Sequence, residues 1–109
     1  MDSFFTKYQI QIKALCQAHH VAKLYAFGSV LTRRFNMKSD VDLVVEFEDF
    51  GLKGYASNAF QLKTSLMALF NRPVDLLENQ AIRNPFLKEE IDETKIVVYD
   101  GKKNQEMAL

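Results

Sequence analysis

The apolar run VDLVVEF at Val41–Phe47 constrains the fold more than any other stretch of this chain. It is rich in β-branched residues, and its nearly continuous hydrophobicity is typical of a strand that is covered on both faces. Such a strand needs other strands beside it and helices packed above and below it. Since 109 residues suffice for one modest core, the run predicts a small layered α/β domain.

Helical and strand periodicities alternate along the rest of the chain. Apolar residues recur every three or four positions in two segments, and Asn84-Pro85 is a favourable start for a third helix. The predicted helices are residues 2 or 3 to about 20, 55–71 and 84 to about 93. The other predicted strands are 21–27, 73–77, whose proline favours a sheet edge, and 96–99. This order predicts an α/β (α+β) fold, in which helices pack on a small mixed sheet of about four strands. The domain is expected at 1–100, with a polar tail at 101–109.

The composition excludes several classes of protein. Acidic and basic residues number 14 each and the sequence pI is about 6.7, which argues against long DNA or RNA as the main partner. No apolar run approaches the ~20 residues of a membrane span, and no signal-peptide pattern opens the chain. The single cysteine, Cys16, lies in an apolar helical pattern and is expected to be a buried hydrophobe. We therefore expect a soluble cytoplasmic protein without membrane contact.

Two aspartates open the central strand. Residues two apart on a strand point to the same face with α-carbons ~6.6 Å apart, so Asp40 and Asp42 would repel each other unless a cation lay between them. Mg²⁺ is commonly bound by one or two carboxylates together with water and substrate phosphates. In the alternative interpretation, Ser39-Asp40 caps a turn and Asp42 is a solvated residue of an edge strand.

A glycine-serine pair lies a dozen residues before these aspartates. A strand that stops at Gly28 and continues into a helix start presents unpaired N–H groups, and the Ser29 hydroxyl can add a hydrogen bond to an anion. Alone, the pair predicts no more than a turn. Next to the aspartates it predicts a phosphate site and a metal site at the ends of neighbouring strands, where open α/β sheets bind ligands.

Asp75, in the segment RPVDLL, is a candidate third carboxylate. If its strand lies beside Val41–Phe47, the three carboxylates could converge and hold two ions, which suits an in-line phosphoryl displacement. Alternatively, Asp75 is a lone charge at a strand end that pairs with Arg72 or Lys63.

Basic residues lie between the glycine and the aspartates. Arg33, Arg34 and Lys38 could neutralise a triphosphate, or could be ordinary solubility residues of an exposed loop. Arg34 is the favoured candidate for nucleotide binding because it adjoins the apolar residue Phe35.

The stretches FGSVLTRRFNMKSDVDLVVEF at 27–47 and RPVDLL at 72–77 together resemble the minimal nucleotidyltransferases of the DNA polymerase β superfamily. The stretch NPFLKEEI at 84–91 resembles the C-terminal portion of these proteins, so the resemblance covers nearly the whole chain. In that superfamily, Gly-Ser is followed by a spacer, by Asp-x-Asp with apolar residues, and by a third carboxylate on a later strand. The resemblance implies the polymerase-β-like nucleotidyltransferase fold.

Carried over to this sequence, the resemblance implies a role for each motif residue. Gly28 and Ser29 would hold the terminal phosphates of the nucleotide. Asp40 and Asp42 would bind Mg²⁺, and Asp75 would complete a site for two ions and help to activate the acceptor hydroxyl.

The chain departs from the family pattern at two positions. Many relatives have an arginine two residues after the glycine, where this chain has Val30, and a glycine or an acidic residue near the position of Arg33.

The family also suggests a biological setting. Minimal members lack the extra helical domains that bind large acceptors, and are commonly paired with a helical HEPN-type protein in toxin–antitoxin systems. The implied function is that of an antitoxin that transfers AMP from ATP to a hydroxyl of its partner. Two alternatives are an antitoxin that silences its partner by occlusion alone, and a homodimer, or other homo-oligomer, that modifies a small molecule such as an aminoglycoside.

Overall fold

The computed structural model describes residues 3–32, 35–36, 38–48 and 54–102. Most of the predicted tail therefore lies outside the described residues. The helices are α1 (Ser3–Thr6), α2 (Gln9–Ala18), α3 (Tyr55–Phe70) and α4 (Pro85–Thr94). The strands are β1 (Val21–Phe27), β2 (Val41–Phe47), β3 (Val74–Glu78) and β4 (Ile96–Asp100). Short 3-10 helices follow β1 and β3 at Gly28–Leu31 and Asn79–Ala81. Among the described residues, no helix is long and apolar enough to cross a membrane.

The four strands form one mixed sheet in the order β3-β2-β1-β4. β1 pairs antiparallel with both β2 and β4, whereas β2 pairs parallel with β3. The predicted mixed α/β (α+β) fold is therefore confirmed, and β3 lies at the sheet edge as its proline indicates. The antiparallel pairing of β1 with β2 brings the end of β1 beside the start of β2.

Helices cover both faces of β2, as its apolar run predicts. Leu43 and Val45 belong to the larger core, which they share with buried residues of α2 and α3. Val44, on the opposite face, packs with Tyr25 of β1 and Ile91 of α4. The side chains of Leu43 and Val44 are both 0% exposed, so successive residues of this strand are buried in different layers.

The first helical segment is broken, although its periodicity predicts one continuous helix. Tyr8 leaves helical geometry with φ −111° and ψ 9°, and its amide donates to the Phe5 carbonyl at 3.0 Å. Its ring packs on the rings of Phe4 and Phe70, with centroid distances of 5.6 and 5.2 Å. The break accompanies an aromatic cluster with α3, which is far away in sequence. A local periodicity carries no information on such contacts and therefore does not reveal the break.

The start of α4 agrees with its sequence. Asn84 caps the helix, since its side-chain oxygen accepts hydrogen bonds from the amides of Phe86 at 2.9 Å and Leu87 at 3.3 Å. Pro85 occupies the first helical position, where its missing N–H costs nothing. The cap fixes where α4 begins and so helps to set which of its residues face the sheet.

Candidate active site

Two aspartates lie side by side on neighbouring strands of the sheet. In the parallel pairing of β2 with β3, Asp42 is the register partner of Asp75. Because side chains alternate along a strand, both aspartates point away from the face that buries Val41 and Val74. Asp42 is half-buried and Asp75 is exposed. The condition on which the convergence of the carboxylates depends, that the Asp75 strand lies beside β2, is therefore met.

The carboxyl group of Asp42 lies where a negative charge is unfavourable. Burial raises the pKa of Asp42 above its ordinary value, and the charges of Asp75 and then Asp40 raise it further. Asp40, two residues earlier, is exposed. Asp75 and Asp40 are thus both close enough to Asp42 to repel its carboxylate, and a cation beside Asp42 would relieve that repulsion.

Gly28 approaches the Asp42 carboxylate directly. Phe27, the last residue of β1, is the register partner of Asp42, and Gly28 follows with φ +78°. A Cβ atom built on Gly28 would lie 2.5 Å from Asp42 Oδ2, so any side chain here would force the Asp42 carboxylate to move. Glycine is favoured here by the positive φ as well as by this close approach. The turn therefore brings backbone groups against a carboxylate.

The reason why the Gly28 turn lies beside the aspartates differs from the one that the sequence suggests. Gly28 lies at the carboxyl end of β1, but Asp42 and Asp75 lie at the amino-terminal starts of β2 and β3. The rule that ligands bind at the carboxyl ends of parallel strands therefore does not apply. The antiparallel pairing of β1 with β2 brings the glycine and the aspartates to the same edge of the sheet.

A cleft of about 760 Å³ opens beside the glycine. One wall of the cleft is formed by the 3-10 helix at Gly28–Leu31 and by Thr32. The other wall is formed by Glu90 and Thr94 of α4. The sequence shows that Glu90 and Thr94 are four residues apart and share a helix face. It does not show which face of the sheet α4 covers, so these two residues could not be predicted as part of the site.

The aspartates fit a divalent cation that takes further ligands from elsewhere. Within the described ranges, no three Asp, Glu, His or Cys side chains are gathered so that they could hold a metal ion by themselves. The adjacent pair of Asp42 and Asp75 matches the usual Mg²⁺ site of one or two carboxylates, completed by water and substrate phosphates. The raised pKa of Asp42 and the close approach of Gly28 agree with this arrangement.

The surroundings of the aspartates distinguish between their alternative roles. Ser39 does take part in a turn, since its hydroxyl accepts a hydrogen bond from the Asn36 amide at 3.1 Å. Asp42, however, lies on β2, an interior strand of the sheet, and is not a solvated edge residue. Arg72, proposed as a partner of Asp75, donates hydrogen bonds to the backbone carbonyls of Asn36 and Ser39.

Other candidate residues have different positions. Val30, which stands where many relatives have an arginine, is buried in the core, so its side chain does not contact a phosphate at the Gly28 turn. Arg33 and Arg34 lie outside the described residues, so the predicted nucleotide contact of Arg34 stays a prediction. His19 Nδ1 donates to Asn58 Oδ1 at 3.1 Å, and this bond joins α3 to the end of α2, which is a structural role.

Solved structures share this fold. A minimal nucleotidyltransferase matches with a TM-score of 0.70 at 27% identity, over 88% of this chain and 95% of the other. A complex of a tri-AMPylated HEPN toxin with an MNT antitoxin from Shewanella oneidensis matches with a TM-score of 0.62 at 16% identity, over 94% of this chain and 78% of that one. At 16% identity, the second likeness shows the fold alone.

Sequence comparisons identify the family. A predicted protein adenylyltransferase of Methanocaldococcus jannaschii is 35% identical over 86 residues, which are 79% of this chain and 85% of the relative. Residues 10–104 match the family described as polymerase beta, nucleotidyltransferase. The resemblance carried by the Gly-Ser and aspartate motifs is thereby confirmed, and this chain belongs to the polymerase beta nucleotidyltransferase family.

Proposed function

We propose that this nucleotidyltransferase transfers AMP from ATP to a hydroxyl group of a helical HEPN-type partner protein, as the antitoxin of a toxin–antitoxin pair. The observation that carries the proposal is the register of Asp42 opposite Asp75, with the Gly28 turn against the Asp42 carboxylate. The match to a predicted protein adenylyltransferase supports AMP as the transferred group. The tri-AMPylated HEPN toxin of the Shewanella oneidensis complex supports the kind of acceptor.

Asp42 and Asp75 would hold Mg²⁺, and the exposed Asp40 side chain would have to turn toward the ion to act as a further ligand. The ion would neutralise charge on the triphosphate and so favour displacement at the α-phosphorus. Asp40 and Asp75 are exposed whereas Asp42 is half-buried, so Asp42 forms the inner side of the site and the other two face the solvent. An acceptor can therefore approach Asp75 from outside the protein.

The turn at Gly28 and Ser29 would bind the terminal phosphates. The absence of a side chain at Gly28 lets phosphate oxygens approach the backbone, and the Ser29 hydroxyl can donate a hydrogen bond. The adjoining cleft of about 760 Å³ lies within the range of roughly 300–1,000 Å³ that is usual for small-molecule sites. It has room for part of the nucleotide between this turn and α4.

The proposed reaction conserves all its atoms. The acceptor hydroxyl oxygen attacks the α-phosphorus of ATP, and the new P–O bond forms as the bond to the leaving oxygen breaks. Pyrophosphate leaves with that electron pair, and the carboxylate of Asp75 takes the proton of the acceptor. The products are an AMP ester of the acceptor and pyrophosphate.

Labelled ATP tests this function. The chain is incubated with a candidate HEPN-type partner protein, Mg²⁺ and ATP that carries the label at either the α- or the γ-phosphate. We expect the partner to gain label from α-labelled ATP only, and EDTA to prevent the transfer. Label from γ-labelled ATP would indicate a kinase instead. No transfer of label with any nucleotide or divalent metal would contradict the proposal and favour an antitoxin that acts by occlusion.

A further inference from the structure

Arg72 joins the N-terminal helix to the segment that leads into the active site. Helix α3 ends at Phe70, so Arg72 lies in the short connection to β3, three residues before Asp75. Its guanidinium carbon, Cζ, lies 4.5 Å from the ring centroid of Phe35 and 5.0 Å from that of Phe4. Arginine stacks on aromatic faces through its planar charged group, so these two rings hold the guanidinium in place.

One nitrogen of this guanidinium holds both ends of a turn. Nη1 of Arg72 donates to the carbonyl oxygens of Asn36 at 2.9 Å and Ser39 at 3.2 Å. The same turn is closed by the Ser39 amide, which donates to the Asn36 carbonyl at 3.0 Å. The Asn36 amide in return donates to the Ser39 hydroxyl at 3.1 Å. Arg72 therefore fixes the turn at residues 36–39 from outside.

The residue after Arg72 fixes the other side of Asp40. The carbonyl oxygen of Pro73 accepts a hydrogen bond from the Val41 amide at 3.0 Å. Asp40 thus lies between Ser39, held by Arg72, and Val41, held by Pro73. One residue after Val41 and two residues after Pro73, the register brings Asp42 beside Asp75. A single dipeptide therefore anchors the backbone on both sides of Asp40.

The contacts of Arg72 depend on the shape of its side chain. Its Nε is buried and has no hydrogen-bond partner among the residues that the structure describes. An unpaired buried donor costs free energy, so the two carbonyls and the two rings must hold the guanidinium against that cost. Lysine would keep the charge but would lose the planar group that reaches rings and carbonyls together.

We propose that Arg72 is a positioning residue for the metal-binding aspartates. By fixing the turn at residues 36–39, it sets the direction of Asp40 relative to Asp42 and Asp75. Phe4 extends this support to α1, so the N-terminal helix contributes to the geometry of the site. The inference rests on the proposed function, because it assumes that these carboxylates bind a divalent cation.

Mn²⁺ binding and amide exchange test the inference without turnover. Binding of Mn²⁺ alone is followed by loss of the free-ion electron paramagnetic resonance signal in the wild type and in Arg72→Lys. Loss of a group that orients a metal ligand commonly weakens metal binding by about 10- to 100-fold, and we expect a decrease of this size. We also expect faster hydrogen exchange at the Ser39 amide. The matched control is Lys7→Met, because Lys7 Nζ also lies over the Phe4 ring, at 5.7 Å, and this variant should bind Mn²⁺ as the wild type does.

Each outcome decides the question. If Arg72→Lys binds Mn²⁺ as tightly as the wild type, the inference is wrong, whatever the stability of the variant. If Arg72→Lys does not fold, Arg72→Gln, which keeps one hydrogen-bond donor group, is measured in the same way. A wild type that binds no Mn²⁺ would also overturn the inference. A wild type that binds Mn²⁺ but transfers no AMP would overturn only the proposed function, and the comparison with Arg72→Lys would still hold.

Discussion

Asp42→Asn is expected to remove AMP transfer and, at the same time, to make the metal-free protein more stable. Removal of one preorganised electrostatic group commonly lowers kcat by about 10²- to 10³-fold. Stability changes in the opposite direction because burial and the charges of Asp75 and Asp40 raise the pKa of Asp42. A carboxyl whose pKa is raised on folding destabilises the native state once the pH exceeds its unfolded value, and this penalty is complete only when the pH also exceeds the raised folded value. Asparagine removes the charge with little change in shape.

Asp92→Asn is the matched control, and its expected effect on stability has the opposite sign. Asp92 is exposed on α4, and hydrogen bonds from Lys88 at 2.9 Å and Lys95 at 3.0 Å lower its pKa. Its loss should leave transfer unchanged and slightly lower the Tm. The measurements are transfer of α-label and thermal unfolding in the presence of EDTA. An Asp42→Asn variant that retains transfer, or that loses it together with stability, would contradict the account.

Gly28→Ala is expected to remove transfer and to destabilise the fold. An alanine at φ +78° is strained by roughly 1–2 kcal/mol, and its Cβ would also lie 2.5 Å from Asp42 Oδ2. Gly54→Ala separates these two costs, since Gly54 has φ +77° but nothing within 4 Å of the added carbon. We therefore expect a clearly greater loss of stability in urea unfolding for Gly28→Ala than for Gly54→Ala.

A double-mutant cycle shows whether the excess comes from Asp42. In an Asp42→Ala background the carboxylate is absent, so Gly28→Ala should cost about as much free energy of unfolding as Gly54→Ala. Residues in contact are coupled in this way, whereas distant ones are additive. An equal loss of unfolding free energy for Gly28→Ala in both backgrounds would mean that the added Cβ does not clash with the Asp42 carboxylate.

The sequence predicts the sheet well because the signals for it are local. The β-branched run at Val41–Phe47 is buried on both faces, and the alternation of Val74, Asp75 and Leu76 correctly indicates which side Asp75 faces. The proline before β3 indicates an edge strand, and β3 is at the edge. In each case the information lies in a few consecutive residues.

Features that depend on distant residues could not be predicted. The break at Tyr8 accompanies ring contacts with Phe70, about sixty residues later in the chain. The inclusion of Glu90 in the cleft wall depends on the face of the sheet that α4 covers. The sequence indicates only that Arg72 is a charged residue in a loop. Folding brings it to the carbonyls of Asn36 and Ser39. Motifs thus predict which residues carry the chemistry but not which residues support them.

A crystal structure with Mn²⁺ and a non-hydrolysable ATP analogue tests the central claim most directly. The anomalous signal of manganese locates the ion independently of the protein coordinates. The account predicts an ion bound to the carboxylates of Asp42 and Asp75, and terminal phosphates against Gly28 and Ser29. A nucleotide whose metal ion lies away from Asp42 and whose phosphates do not touch this turn would contradict it.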